Sequence, residues 1–261
     1  MNQHQMRAAS DLLYQNWLEG TRIDALPEAL RPRDRAEGYG IQACIESHSA
    51  RPLFGWKIAA TSSAGQAHIG VDGPLAGRLL AERVIENGGL CTLGNNLMKV
   101  AELEFAFRMA KDLPPRDTPY QQQEVLDHVA TLHPAIEIPD SRFNQFERAG
   151  LAQLIADNAC AHRFVLGPPV TADWRALDLA AQRPRAFVNG EMGDVGLGAN
   201  VLGGPLIGLT WLANELSRLG LTLRAGEVVT TGTCVKPIAI TQGTRVAGDF
   251  GILGKVSIAI G

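Results

Sequence analysis

The chain has 261 residues, 46% of them apolar and 20% charged, with a formal charge of −3 and a pI near 6.1. That length and apolar content suffice for a large buried core, and the slight acidity argues against a sequence-independent nucleic-acid binder, whose affinity rests on Lys and Arg neutralising phosphates. No apolar run approaches the roughly 18 residues that a membrane helix needs, the start Met1–Gln5 is polar, and the four scattered cysteines, Cys44, Cys91, Cys160 and Cys234, form no CxxC pair; a soluble, unprocessed cytoplasmic protein with reduced thiols that acts on a small molecule is therefore expected.

In chain order, Ala8, Leu12, Leu13 and Trp17 fall on one face of a helix predicted over about Arg7 to Glu19, and Ala36, Tyr39, Ile41, Ala43 and Ile45 repeat the pattern between Arg33 and Ser49. Residues 1–50 are thus expected to be a mainly helical subregion. From Phe54 the texture changes to short apolar runs broken by Gly, Pro and Asn, which predict strands at Gly55 to Ala60, Val100 to Met109, Thr131 to Ile138, Arg185 to Val188, Glu227 to Thr231, Pro237 to Thr241, and within Arg245 to Ile260. Three helices interrupt them, near Gln121 to Ala130, Leu151 to Ala159, and Pro205 to Leu219. The last opens on proline and stops at Gly220. This irregular order favours an α+β fold, a curved antiparallel or mixed sheet over residues 51–261 with the helical subregion in front, rather than a doubly wound one. No repeat or linker divides the chain.

Within the strand Val100 to Met109, Glu102 and Glu104 point to one face while Leu103, Phe105 and Phe107 point to the other. Two neighbouring carboxylates repel each other, so a half-buried sheet tolerates them only if one takes up a proton or a cation sits between them. Taken alone, such a pair is most often the solvated face of an edge strand. A third acid, Glu137, interrupts the apolar run Pro134 to Pro139 and completes an oxygen set suited to Mg²⁺ or Mn²⁺. Lys57, alone in the apolar strand Gly55 to Ala60, is either a snorkelling side chain or a general acid or base. The turn Thr230-Thr231-Gly232-Thr233, with Lys236 close behind, offers hydroxyls and backbone N–H groups to a carboxylate, or is an ordinary strand-to-turn junction. The glycines of Asn189 to Gly198 match no nucleotide-binding spacing. The histidines are not paired at metal-ligand spacing.

The segments Gly55 to Ser62, Ile69 to Pro74, Ala101 to Glu104, Pro134 to Glu137, Ala156 to Ala159, Gly204 to Asn214 and Thr231 to Thr233 together resemble the hydratase and decarboxylase branch of the fumarylacetoacetate hydrolase superfamily, typified by 2-keto-4-pentenoate hydratase and 4-oxalocrotonate decarboxylase. The resemblance implies a mixed β-roll, and Mg²⁺ or Mn²⁺ held by Glu102, Glu104 and Glu137. It implies Lys57 as the acid/base group, and Thr233, Lys236 and Ser62 as substrate contacts. The implied substrate is a 2-hydroxy-2,4-dienoate of the kind released when bacteria cleave aromatic rings, the implied reaction is addition of water to give a 4-hydroxy-2-oxo acid, and a homo-oligomer is expected. In one place the chain departs from the hydratase pattern. Where these enzymes commonly read Pro-Asp, it has Pro74-Leu75. Leu75 in place of the acid keeps two alternatives in view: a metal-dependent decarboxylase of a 2-oxo-3-enedioate, and a relative that binds metal without turnover. A hydrolase of 1,3-diketones would need a water-activating His and carboxylate pair that the sequence does not supply.

Overall fold

The computed structural model describes residues 1–261. Its strands are β1 Gly55–Ala59, β2 Leu75–Leu79, β3 Val84–Ile85, β4 Leu90–Cys91, β5 Val100–Met109, β6 Val129–Ile138, β7 Arg163–Leu166, β8 Arg185–Val188, β9 Glu191–Val195, β10 Val228–Thr233, β11 Ile238–Ala239, β12 Arg245–Asp249 and β13 Lys255–Ile260. Its helices are α1 Gln3–Glu19, α2 Arg35–Ala43, α3 Ser63–Ile69, α4 Gln122–Asp127, α5 Leu151–Ala156 and α6 Pro205–Arg218.

Local chemistry sets most of these ends. The Asn2 side chain accepts from Gln5 N and the Gln5 side chain answers to Asn2 N, while Gly20 closes α1 in the left-handed region. The helix predicted to Ser49 stops at Ala43 and tightens into a 3₁₀ turn over Cys44–His48. The run Arg245 to Ile260 is two strands, because Gly251 turns the chain at a positive φ. Strands β2, β3, β4, β7 and β9 and helix α3 lie outside the predicted strands and helices. Each is only two to seven residues long, too short to establish a period.

Two sheets result, and the mixed sheet expected from sequence is borne out. The larger runs β2-β1-β10-β5-β6-β7-β3, with β11 also pairing to β5; the smaller runs β4-β13-β12-β8-β9. In the larger sheet β1 is parallel to β10, and β5 is antiparallel to both β10 and β6. One face of β5, with Leu103, Phe105 and Phe107 each no more than 1% exposed, packs against the smaller sheet. There Gly248 of β12 approaches so closely that a Cβ would meet Leu103 at 2.9 Å, and the rings of Phe105 and Phe250 meet edge-on at 5.2 Å. Leu13, Tyr39 and Ile41 of the N-terminal helices join the same apolar cluster as Leu103 and Phe105. With that face sealed, the opposite face of β5 is left for polar side chains.

Candidate metal centre and its lysine

The register of β5 and β6 sets Glu102 directly opposite Glu137, and Glu104 opposite Ala135. Strand alternation puts all three carboxylates on one face, and one oxygen from each lies within 4.8 Å of the others. Glu104 and Glu137 are wholly buried, and Glu102 is partly open. Like charges on facing strand positions are destabilising, so this rung opposes the sheet that carries it.

The lysine comes from β1. Lys57 is 3% exposed, and its Nζ lies 3.0 Å from Glu137 Oε1 and donates to the Ala159 carbonyl at 3.0 Å. The approach to Glu137 is close enough for an ion pair but too bent for a hydrogen bond, so both Glu137 oxygens and Glu104 Oε1 remain without a directed donor. The other Glu104 oxygen is satisfied, by the Thr230 hydroxyl and by Gly232 N at 2.8 Å. From sequence, the Thr-Gly-Thr turn is expected to offer its donors to a substrate carboxylate. In the structure it spends two of them on Glu104.

These contacts decide the electrostatics. Burial raises the Glu102 pKa most, the Glu137 charge raises it further and Lys57 opposes, leaving it at about 7. Burial is also the largest cause for Glu104, raised well above the usual carboxylate range, and for Glu137, raised more modestly because Lys57 holds it down. For Lys57 burial alone favours the neutral amine, but Glu137, Glu102 and Glu104 together outweigh it and raise its pKa, so it remains an ammonium at neutral pH. Three carboxylates against one ammonium leave an excess of two negative charges when all are ionised. A hard divalent cation balances that excess and supplies a partner to the orphaned oxygens, so these residues fit Mg²⁺ or Mn²⁺.

The lysine is held by an unusual piece of backbone. Asn158, Ala159 and Cys160 all have left-handed φ, at 56°, 50° and 61°, a conformation that costs about 1–2 kcal/mol per non-glycine residue. Asn158 holds the arch: its Oδ1 accepts from Arg78 N at 2.6 Å and its Nδ2 donates to Arg78 O at 2.8 Å, so the side chain pairs with β2 as a further strand would. The preceding Asp157 is locked by Arg142 and by the Ser141 hydroxyl. Gly77 faces Lys57 across β1 and β2, where a Cβ would lie 2.5 Å from the Asn158 carbonyl and 3.0 Å from the lysine stem. Gly232, at φ +99°, lies where a Cβ would come within 2.3 Å of Thr61 Oγ1.

The remaining sequence candidates lie at the rim or apart. Thr233 is opposite Glu104 and partly buried, its hydroxyl donating to Val235 O at 2.8 Å. Ser62, exposed, accepts from Gly65 N as the cap of α3 and follows the Thr61 that packs on Gly232. Lys236 is exposed and forms no ion pair; only its backbone N–H is engaged, by Asp194. Leu75 is fully buried and pairs with Ala59, on the face of the sheet that Lys57 shares. Thr230 is signalled only as part of the Thr230–Thr233 turn, and Gly77 and the Ala159 carbonyl carry no sequence signal of their own. Asn158 does: a polar residue closing an apolar helix.

Known proteins resemble this chain over most of its length. The fumarylacetoacetate hydrolase C-terminal family model matches residues 93–257. The chain is 32% identical over 256 residues to 2-keto-4-pentenoate hydratase 1 of Dechloromonas aromatica (strain RCB), covering 96% of this chain and 95% of that one. It is 33% identical over 203 residues to 2-hydroxyhexa-2,4-dienoate hydratase of Comamonas testosteroni, covering 77% and 75%. Among solved structures, 4-oxalocrotonate decarboxylase from Pseudomonas putida G7, complexed with magnesium and adipate, superposes with a TM-score of 0.90 at 25% identity, over 100% of this chain and 98% of that one.

Proposed function

The chain belongs to the fumarylacetoacetate hydrolase family, and on that premise we propose that it is a divalent-metal-dependent hydratase, adding water to a 2-hydroxy-2,4-dienoate to give a 4-hydroxy-2-oxo acid. The observation that carries this is the convergence of Glu102, Glu104 and Glu137 within 4.8 Å beside a buried lysine. The hydratases among the chain's relatives, one matched over 96% of this chain and one over 77%, support the substrate class. Mg²⁺ or Mn²⁺ held by the three glutamates would stabilise the negative charge that develops on the C2 oxygen of the substrate. The work of the chain itself is proton transfer. Lys57 Nζ, kept protonated by its acidic neighbours, delivers a proton to the far end of the diene and recovers one from the C2 hydroxyl. The resulting enone accepts water at C4. The Ala159 carbonyl and Glu137 hold the ammonium at a fixed point through this exchange, Thr230 and Gly232 keep Glu104 turned inward, and Thr233 and Ser62 stand at the rim as contacts for the substrate carboxylate; Lys236 does so only if its exposed side chain turns inward. Action in the degradation of aromatic rings, a cytoplasmic location and assembly into a homo-oligomer belong to the same proposal; no helix is long and apolar enough to cross a membrane.

A second reading, decarboxylation of a 2-oxo-3-enedioate, is favoured by one observation: Leu75 gives Lys57's face an apolar side chain where the hydratase pattern has an acid. Both activities are tested by giving the Mg²⁺- or Mn²⁺-loaded protein 2-hydroxypenta-2,4-dienoate and, separately, a 2-oxo-3-enedioate. Loss of the dienol absorbance with formation of 4-hydroxy-2-oxopentanoate is the expected outcome. Release of CO₂ from the second substrate alone transfers the assignment to decarboxylation, and inertness toward both defeats it.

A further inference from the structure

Away from the glutamates, a cleft of about 310 Å³ opens between the end of α1, the turn after β4, the segment after β6 and the start of β7. Six charged side chains line it, and four are arginines: Arg22, Arg83, Arg142 and Arg163; the acids are Glu19, which is exposed, and Asp140. Two of the arginines are accounted for. Arg142 is bound by Asp157 and by backbone carbonyls, and Arg22 pairs with Asp140 at 3.0 Å. The other two are not. Arg83 lies over the Trp17 ring at 4.4 Å, with the Tyr14 phenol near it, and Arg163 forms no ion pair and leaves its Nε without a hydrogen bond. Both are partly buried and neither has an acidic partner; Arg163 Nε is sealed from solvent without a hydrogen bond. Two half-buried guanidinium groups side by side, unpaired, cost free energy that an anion between them would recover.

The neutral groups of the cleft point the same way. Trp17 Nε1 donates to His162 Nδ1 at 2.7 Å, so the imidazole carries its proton on Nε2, free to donate. Burial, with the four surrounding arginines acting in the same direction, holds the His162 pKa down to about 2, so the imidazole is neutral. Arg163 pairs with Ile138 across β6 and β7, whereas Glu137 pairs with Phe164, so the cleft lies on the face of the sheet opposite the carboxylates. We infer that this cleft is a second ligand site, formed by Arg83, Arg163 and His162 with Arg22 at its edge, which takes a phosphate group. Two planar guanidinium forks match phosphate oxygens bidentately, and one dianion neutralises both.

The test uses the full chain loaded with Mg²⁺ in a phosphate-free buffer, titrated by calorimetry with inorganic phosphate, with glycerol 3-phosphate, and with acetate as a control. Saturable phosphate binding is expected, with little from acetate. Arg83→Gln and Arg163→Gln should each weaken it roughly tenfold or more, while turnover of the dienoate without phosphate stays at the wild-type level. Tighter binding of glycerol 3-phosphate than of inorganic phosphate assigns the site to a phosphorylated metabolite, and the reverse order to the free ion. Arg163 has no side-chain partner in the fold to lose, and Arg83 only the Trp17 ring and the Tyr14 phenol, so both variants should fold, and a melting temperature confirms it. Absence of saturation at tens of millimolar overturns the inference, as does equal binding by the Arg83→Gln/Arg163→Gln double variant, the mark of an adventitious ion only or of phosphate on the metal. A change in elution volume on losing these arginines also overturns it, because they would then face the carboxylates of a second copy.

Discussion

Gly77→Ala tests the geometry around Lys57 with a single methyl group. The new Cβ would lie 2.5 Å from the Asn158 carbonyl and 3.0 Å from Lys57 Cγ and Cδ. The carbonyl cannot retreat cheaply, since Asn158 is fastened to Arg78 at both ends of its amide and lies in a left-handed arch. Overpacking of this kind costs about 1–3 kcal/mol, and in a chain of this size each kcal/mol lowers the melting temperature by about 2–4 °C, so a drop of about 2–12 °C is expected. The lysine stem must move as well. A displacement of about 1 Å at a reacting group costs on the order of 10²-fold, and a shift of half that should lower kcat for the dienoate about tenfold with a smaller change in KM. The control is Gly73→Ala, where a Cβ meets nothing within 4 Å. Steady-state rates and melting curves of both variants decide the matter: wild-type values for Gly77→Ala, or equal losses in the two, would refute the packing argument.

Three further outcomes follow from the same site. Glu104→Gln should bind Mg²⁺ or Mn²⁺ at least 100-fold more weakly, because an amide replaces a charged donor, yet the metal-free protein should melt no lower, since the amide oxygen can keep Thr230 and Gly232 while a buried charge disappears; unchanged metal content and activity would remove Glu104 from the centre. Lys57→Met should abolish turnover, and in metal-free protein it should cost up to about 3 kcal/mol by leaving the carboxylates without their only cation; added Mg²⁺ should restore the melting temperature but not the activity. Glu102, raised to about 7 from the usual 4.5, binds its proton more tightly in the folded chain, so its contribution to stability is complete below about pH 4.5 and is lost as pH climbs to about 7, with Glu104 and Glu137 acting in the same direction. Melting in EDTA should therefore fall across that window, while Mg²⁺ affinity rises as those protons are displaced; metal-free stability that increases with pH would contradict the shifts.

Much of this was legible in the sequence because long strands declare their period. The apolar run Val100–Met109 predicts β5 with the bounds it has, and the sharing of one face by Glu102 and Glu104 follows directly. Its partner β6 begins at Val129, two residues before the predicted start at Thr131. That Glu137 faces Glu102 across one rung was not readable, since register depends on contacts far apart in the chain. Lys57 stood out as a charge in an apolar run, but the group that holds it is the carbonyl of Ala159, and a backbone atom leaves no residue signature. The arginines of the second cleft are spread from position 22 to position 163, and only the turns between β4, β6 and β7 bring them together.

The facing glutamates of β5 and β6 carry a lesson for anyone reshaping this scaffold. A sheet whose central rung repels itself has surrendered robustness at the very place where it needs reactivity, so substitutions that swap the trio and Lys57 together for neutral residues should yield a hardier, inert protein. Screens that reward heat tolerance alone will drift toward that dead end, and selection on this chain needs the ion present and turnover scored together.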